Sequence, residues 1–465
     1  QNSGADAYNI AIGHTAGTTM SSGVRNVIMG GLAGDALTTG SYNVAIGYDA
    51  LSSEQTHGYN TAVGYNALRL QNAGADAYNV ALGYNAGENI STGAGNTLIG
   101  SQAGDALTTG GFNTVVGKSA LSTEDTNGYC TAVGYQALMT QDAGADALNT
   151  AVGFDAGGDI TTGTNNTLMG HEAGNALTTG NHNIAIGNYA LATEDAHGRN
   201  VAIGRNALYT LDAGADAYNV AIGFYAGDQV STGVNNVLIG GEAGDAITTG
   251  GDNIAIGRQA LSAKTIGSGD VAIGHQALQD ADGGDAFNVA VGYRAGRNIT
   301  SGIRNILIGA SAGDTLTAGL DNIAIGYQAL ATEDDHSYNT AVGHQALKAQ
   351  DAGADAYNVA MGYRAGYAVT SGVNNITIGA EAGIALTTGS YNVAVGHGAL
   401  ATEDTGGRNT AMGYRALNSL NTGASAYNVA VGYDAGANVN TGVQNTIMGG
   451  LAGDALTAGS YNVAV

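Results

Sequence analysis

Residues that could do chemistry are sparse in this chain of 465 residues. Gly309-Ala310-Ser311-Ala312-Gly313 has the spacing of a nucleophile elbow, which needs its Ser at a strand-to-helix turn; no helical pattern follows it. Gly117-Lys118-Ser119 matches the end of a phosphate loop but lacks the glycine five residues before Gly117. The nine His are scattered. His57 and His197 share a loop position, while His14, His275 and His397 each follow a recurring glycine. None has zinc-ligand spacing, so solvated surface His is the expectation. Asn89, Asn298 and Asn375 begin glycosylation sequons. Cys130 is the single cysteine, read as a small buried residue, and says nothing of redox compartment. No catalytic constellation is present, and no enzyme is expected.

Acidic residues recur with more order. One series is Asp35, Asp105, Asp245, Asp314 and Asp454; a second is Asp76, Asp146, Asp216, Asp285 and Asp355. Glu124-Asp125, Glu194-Asp195, Glu333-Asp334 and Glu403-Asp404 make a third. The first reading is a solvated acidic surface. The sharper one is weak Ca²⁺ binding by loop carboxylates, with Asp105, Asp146, Asp245 and Asp355 as candidates; otherwise no metal and no cofactor is expected. Tyrosine is also abundant, 24 against four Phe. Tyr42, Tyr59 and Tyr78 lie before a strand-like run, and Tyr48, Tyr65 and Tyr84 follow it. They read as packing between successive repeats or as a stripe able to bind glycan.

The elements that position these residues are copies of one stretch, Asn43-Val44-Ala45-Ile46-Gly47-Tyr48-Asp49-Ala50-Leu51. Its glycine returns at Gly64, Gly83 and Gly100 and onward to Gly449, in 26 complete copies and a partial one. The steps run 17, 17, 17 and 19, so four copies make a super-repeat of 70 residues. Roughly, the super-repeats span 9–78, 79–148, 149–218, 219–287, 288–357, 358–427 and, in part, 428–465. The array is read as a single domain over residues 1–465 and as an excerpt of a longer chain. A five-residue alternating run bounded by glycine suits a strand, and the Gly-, Asn- and Ser-rich remainder must turn the chain back. A 17-residue coil that returns to its start is one rung of a β-solenoid. The predicted fold is therefore all-β, a parallel β-solenoid or β-roll of about 27 coils of 17 to 19 residues. In-register stacking at about 4.8 Å per rung would run roughly 125 Å.

Three positions carry the frame. The Asn at 43, 60, 79 and 96 recurs in 25 of 27 copies, broken by Cys130 and Asp270, and predicts hydrogen-bonded ladders. The glycines at 47, 64, 83 and 100 mark strand ends. Ala50, Ala67, Ala86 and Ala103 mark the inside of a tight corner, where only a methyl fits. The strand is apolar on both faces, Val44 and Ile46 on one and Ala45 on the other, with larger residues such as Ile28 and Leu98 replacing alanine in second rungs. A thin coil can bury one face, so the other is expected to meet a second copy of the chain, with the alanines at the shared axis.

Composition narrows the class. With 38 acids against 14 bases the net charge is −24, and no basic stripe exists to neutralise phosphate, so nucleic acid is not an expected partner. No apolar run is long enough for a membrane helix, and no insertion is expected within this segment.

The Asn-Val-Ala-Ile-Gly-x-x-Ala frame resembles the head repeats of bacterial trimeric autotransporter adhesins. Thr61-Ala62-Val63-Gly64-Tyr65-Asn66-Ala67-Leu68 and residues 131–138 are similar to repeats of phage tail fibres. The resemblance covers the whole chain and implies a homotrimeric β-roll fibre, extracellular or on a virion, that meets a cell-surface or glycan receptor. Here the coil is longer than the adhesin head's and the 70-residue period is an addition. The expected function is thus a non-enzymatic adhesive fibre giving reach and multivalent attachment. A self-assembling extracellular filament and a single-chain surface- or ice-binding solenoid are the alternatives.

Overall fold

The computed structural model describes residues 7–465. It holds 27 short strands, from β1 (Ile10–Ile12) to β27 (Val463–Ala464), and among the described residues no helix. The chain forms two compact units, Gln1–Asn235 and Asn236–Val465. In the first, β1 through β13 (Val220–Ile222) pair parallel in sequence order. In the second, β14 (Val237–Ile239) through β27 do the same. Register follows the repeat: Val44, Ala45 and Ile46 face Thr61, Ala62 and Val63, so equivalent residues stack. The architecture is a parallel β-solenoid.

The turns stack as well as the strands. Gly34 N–H donates to Ala50 O at 2.9 Å, and Leu51 N–H to Ala67 O at 3.0 Å. Satisfying these bonds forces bulky residues into the left-handed region. Tyr42, Asp49 and Leu51 have φ of 63°, 59° and 52°, and the same positions repeat along the chain. Such conformers cost roughly 1–2 kcal/mol each for residues with a Cβ, so it is the ladder that holds them. Gly47 is required by contact as well as by its φ of 136°, because a Cβ there would run into the carbonyl oxygen of Gly64 in the next rung.

Asn43 links rungs through side chain and backbone together. Its N–H donates to Asn26 Oδ1 at 2.8 Å, its own Oδ1 accepts the N–H of Asn60 at 3.0 Å, and its Nδ2 donates to His57 O at 3.2 Å. Asn79 and Asn96 repeat this at 3.1 and 2.8 Å. All are fully buried, and each such bond contributes about 1 kcal/mol net.

The two strand faces lie opposite to the expected way round. Ala45, Ala62 and Ala81 are fully buried inside the coil, while Val44 and Ile46 point outward and are half-buried. The interior is filled from the turns by Ala50, Leu51 and Leu68, all inaccessible to solvent, which leaves room only for a methyl in mid-strand. The alanines therefore cannot lie at an axis shared between chains.

Packing also accounts for the four-rung period. Four and seven residues after the repeat glycine, first and second rungs carry Gly with a large aliphatic, as Gly87 with Ile90 and Gly104 with Leu107. Third rungs carry Leu with a charged side chain, as Leu121 with Glu124, and fourth rungs carry Leu with Gln, Leu or Ala, as Leu138 with Gln141; all six side chains named are buried. A Cβ on Gly87 would lie 2.6 Å from Leu98 Cδ1 and 3.1 Å from both Ile90 Cδ1 and Leu68 Cδ2. Leu98, the enlarged mid-strand residue of the second rung, thus occupies the space that the missing side chain leaves.

Candidate interaction surface and buried acidic turns

Outward positions alternate along each rung, so Tyr42, Val44, Ile46 and Tyr48 share one face. The next rungs present Tyr59, Thr61, Val63, Tyr65 and then Tyr78, Val80, Leu82, Tyr84. Parallel register turns these into files. Tyr42 and Tyr59 stack at 4.9 Å between centroids, Tyr59 and Tyr78 at 5.1 Å. The second file, Tyr48, Tyr65 and Tyr84, stacks at 5.4 Å per step. The second unit repeats the pattern at Tyr338–Tyr357 and at His397–Tyr414–Tyr433.

The strand between the files presents aliphatic side chains, with Thr at its first position in some rungs, and is partly open to solvent: Leu82 and Met361 are both 47% exposed. Arginines occupy file positions that lack an aromatic and lie over their neighbours, Arg199 over Tyr218 and Arg408 over Tyr391 and Tyr427. Some second rungs interrupt the files, with Gly31 and Gly95 where their neighbours carry rings, while His171 continues one by stacking on Phe154 at 5.0 Å. Beside one such gap an open cleft of about 330 Å³ is lined by Phe112, Tyr129, Asp146 and the hydroxyls of Thr92, Thr109 and Thr126.

In the third acidic series Asp125, Asp195 and Asp334 are exposed, as expected of a solvated surface, but their Glu neighbours are not. Glu54, Glu124, Glu194, Glu333 and Glu403 are fully buried in the turns. Glu54 Oε1 accepts the N–H groups of Gln55, Thr56 and His57 at 3.0–3.2 Å. Across the rung, Oε2 of Glu54, Glu124, Glu194 and Glu403 accepts from Ala73, Ala143, Ala213 and Thr422 at 3.3–3.4 Å. Burial pushes the carboxyl pKa values of Glu124, Glu194, Glu333 and Glu403 up, against the pull of these donors. Sequence reading missed this because Glu beside Asp in a turn looks solvated; the usable signal was its fixed place seven residues after the glycine, where first and second rungs bury Ile, Leu, Val or Met.

One coil breaks the series. Lys264 stands at the Glu position, fully buried, with Nζ 2.9 Å from Asp270 Oδ2. It donates to Gly283 O at 2.9 Å and Gly284 O at 3.1 Å. Asp270 is the exception in the Asn series, and its Oδ1 still accepts the ladder N–H of Asn288 at 2.8 Å. Cys130, the other exception, is buried too; burial pushes its thiol up to about 12, which keeps it protonated.

The second acidic series is a set of turn caps: Asp76, Asp146, Asp216 and Asp355 accept the N–H groups of Gly58, Gly128, Gly198 and Ser337 at 2.9–3.2 Å. Asp105 is half-buried near Glu88, which with burial raises its pKa. Among the described residues, none of Asp105, Asp146, Asp245 and Asp355 belongs to a group of three or more side chains able to hold one metal ion. Such groups form instead at Glu124/Asp125/Asp142, Glu194/Asp195/His197 and Glu333/Asp334/His336/Asp351. Ser311, at φ 54°, sits at the ordinary left-handed corner position, so the elbow-like pattern is the repeat itself. Asn375 is a buried ladder residue. Among the described residues no helix is long and apolar enough to cross a membrane.

Neither a protein-family model nor a curated protein matches this chain.

Proposed function

We propose that this chain is a non-enzymatic structural protein, the repeat shaft or head of an adhesive fibre displayed outside a cell or on a virion, and that it assembles as a homotrimer. The observation that carries the reading is the outward face, mostly Val, Ile, Leu and Met with Thr at the first strand position of some rungs, between two aromatic files. Exposed apolar surface of that extent and regularity marks an association surface, and parallel strands are ordinarily covered on both faces. The resemblance to trimeric adhesin heads supplies the number three. Stacked rings with hydroxyl tips, and the cleft beside Phe112 and Tyr129 lined by Thr and Asp146, suit sugar rings and support a glycan receptor.

The test is the mass of the protein in solution by light scattering, where the reading expects three times 46.0 kDa. Ile306→Lys/Ile308→Lys should release monomers without unfolding the coil, because both side chains point outward. A wild-type mass of 46.0 kDa would overturn the trimer and leave the outward face to a different partner.

A further inference from the structure

The Glu333 turn differs from its four counterparts at one atom. Glu333 Oε1 accepts the His336 N–H at 3.3 Å and lies 2.9 Å from His336 Nδ1. Oε2, equally buried, has no hydrogen-bond partner, whereas in Glu54, Glu124, Glu194 and Glu403 that oxygen accepts a backbone N–H. A buried carboxylate oxygen left unpaired costs about 1–3 kcal/mol or more, so an unmet partner is expected there. Around it the rung-to-rung register gathers Asp334, His336 and Asp351, with one ligand atom from each of the four residues within 4.8 Å of the others. Asp334 and Asp351 are exposed, so the group is reachable from solvent. Glu333 and Asp334 both form their ion pairs with His336, so three carboxylates face a single imidazole.

We propose that Glu333, Asp334, His336 and Asp351 form a binding site for a divalent cation of the zinc class. Three carboxylate oxygens and one imidazole nitrogen are a borderline donor set: the nitrogen favours Zn²⁺ over Ca²⁺, which takes six to eight oxygens. The cation replaces the proton between Glu333 and His336 and fills the coordination that Oε2 lacks. The pattern is Glu, Asp at the next residue, His three after the Glu and Asp 18 after it, a spacing that depends on one rung lying on the next. The Glu194 turn fills three of the four positions, Glu194, Asp195 and His197, with His197 Nδ1 3.4 Å from Glu194 Oε1, and is a weaker copy. The Glu403 turn, with Gly406 and Asn421 at the His and distal Asp positions, is the built-in negative.

Calorimetric titration of the full chain with Zn²⁺ at neutral pH tests this, alongside His336→Ala and Asp351→Asn. Each variant should weaken the tightest site by at least about tenfold, while Thr405→Ala in the Glu403 turn leaves it unchanged. Co²⁺ as a spectroscopic stand-in should show visible absorption of tetrahedral strength, lost in His336→Ala. Circular dichroism confirms that the variants stay folded, and Asp351, being exposed, keeps the test open if His336→Ala does not fold. No zinc heat, zinc heat unchanged in both variants, or Ca²⁺ binding in preference to Zn²⁺ would each overturn the assignment. None of these outcomes bears on the mass measurement above.

Discussion

The turn around Glu194 and the turn around Lys264 hold the same place in consecutive super-repeats and bury opposite charges. Glu194 is met by two N–H groups, from His197 at 3.1 Å and Ala213 at 3.4 Å. Lys264 is met by two carbonyl oxygens, of Gly283 and Gly284, and by a carboxylate where the ladder elsewhere has a neutral Asn. The backbone facing the charge has reversed its polarity. That reversal coincides with the one shortened rung, 18 residues from Gly274 to Gly292 where its counterparts have 19. It also coincides with Gly267 in the left-handed region, φ 88°, a conformation that its counterparts His57, Asn127 and His197 do not adopt. A buried charge is tolerated only when its surroundings are arranged for its sign, and here the shortened rung and the left-handed Gly267 accompany one ion pair.

Breaking that pair should have the largest effect. Lys264→Met leaves Asp270 buried without its cation and should cost about 3–5 kcal/mol of unfolding free energy in a urea titration. Adding Asp270→Asn should recover most of it, since the asparagine amide would restore the neutral ladder chemistry of the other rungs; a double variant no better than the single one would show that the two residues are not coupled. Leu98→Ala should cost about 2–5 kcal/mol, because it removes the fully buried side chain packed nearest to Gly87. Glu194→Ala should cost about 1–3 kcal/mol, the penalty for two stranded N–H groups, and hydrogen exchange at His197 and Ala213 should localise the loss.

A pH series sharpens the contrast further. Burial holds the carboxyls of Glu124, Glu194 and Glu403 above their ordinary 4.5, so the folded chain binds protons more readily than the unfolded one. Their contribution is therefore fully present below 4.5 and is lost as pH rises through the folded values. Melting temperature should rise on acidification from about pH 7 toward 5, and Glu124→Gln/Glu194→Gln/Glu403→Gln should flatten that rise. The smallest effect expected is for Asp76→Ala, about 1 kcal/mol for one lost acceptor at the Gly58 turn.

Much of the fold was legible because a strict repeat permits only one kind of structure. Glycines at a fixed step, a two-residue alternation and an alanine at every corner imply stacked coils of one short strand each, and the structure has them. What the alternation could not say was which face is inside. Ala45 and Val44 are both apolar, and the choice rests on how much volume Ala50, Leu51 and Leu68 bring in from the turns. The candidate site was less legible still. A run such as Glu333-Asp334-Asp335-His336 reads as solvated loop until the next rung sets Asp351 beside it.

The sequence by itself determined the period, the parallel in-register pairing and the places where only glycine, alanine or asparagine serves, since each follows from a local rule repeated many times. Tertiary structure alone decided the left-handed backbone at Tyr42 and Leu51, the burial of the turn glutamates, and the pairing of Lys264 with Asp270. These depend on contacts between residues 6 to 20 positions apart, and no local preference of Tyr, Leu, Glu or Lys points to them; only the stacking of one coil on another makes them the lowest-energy choice.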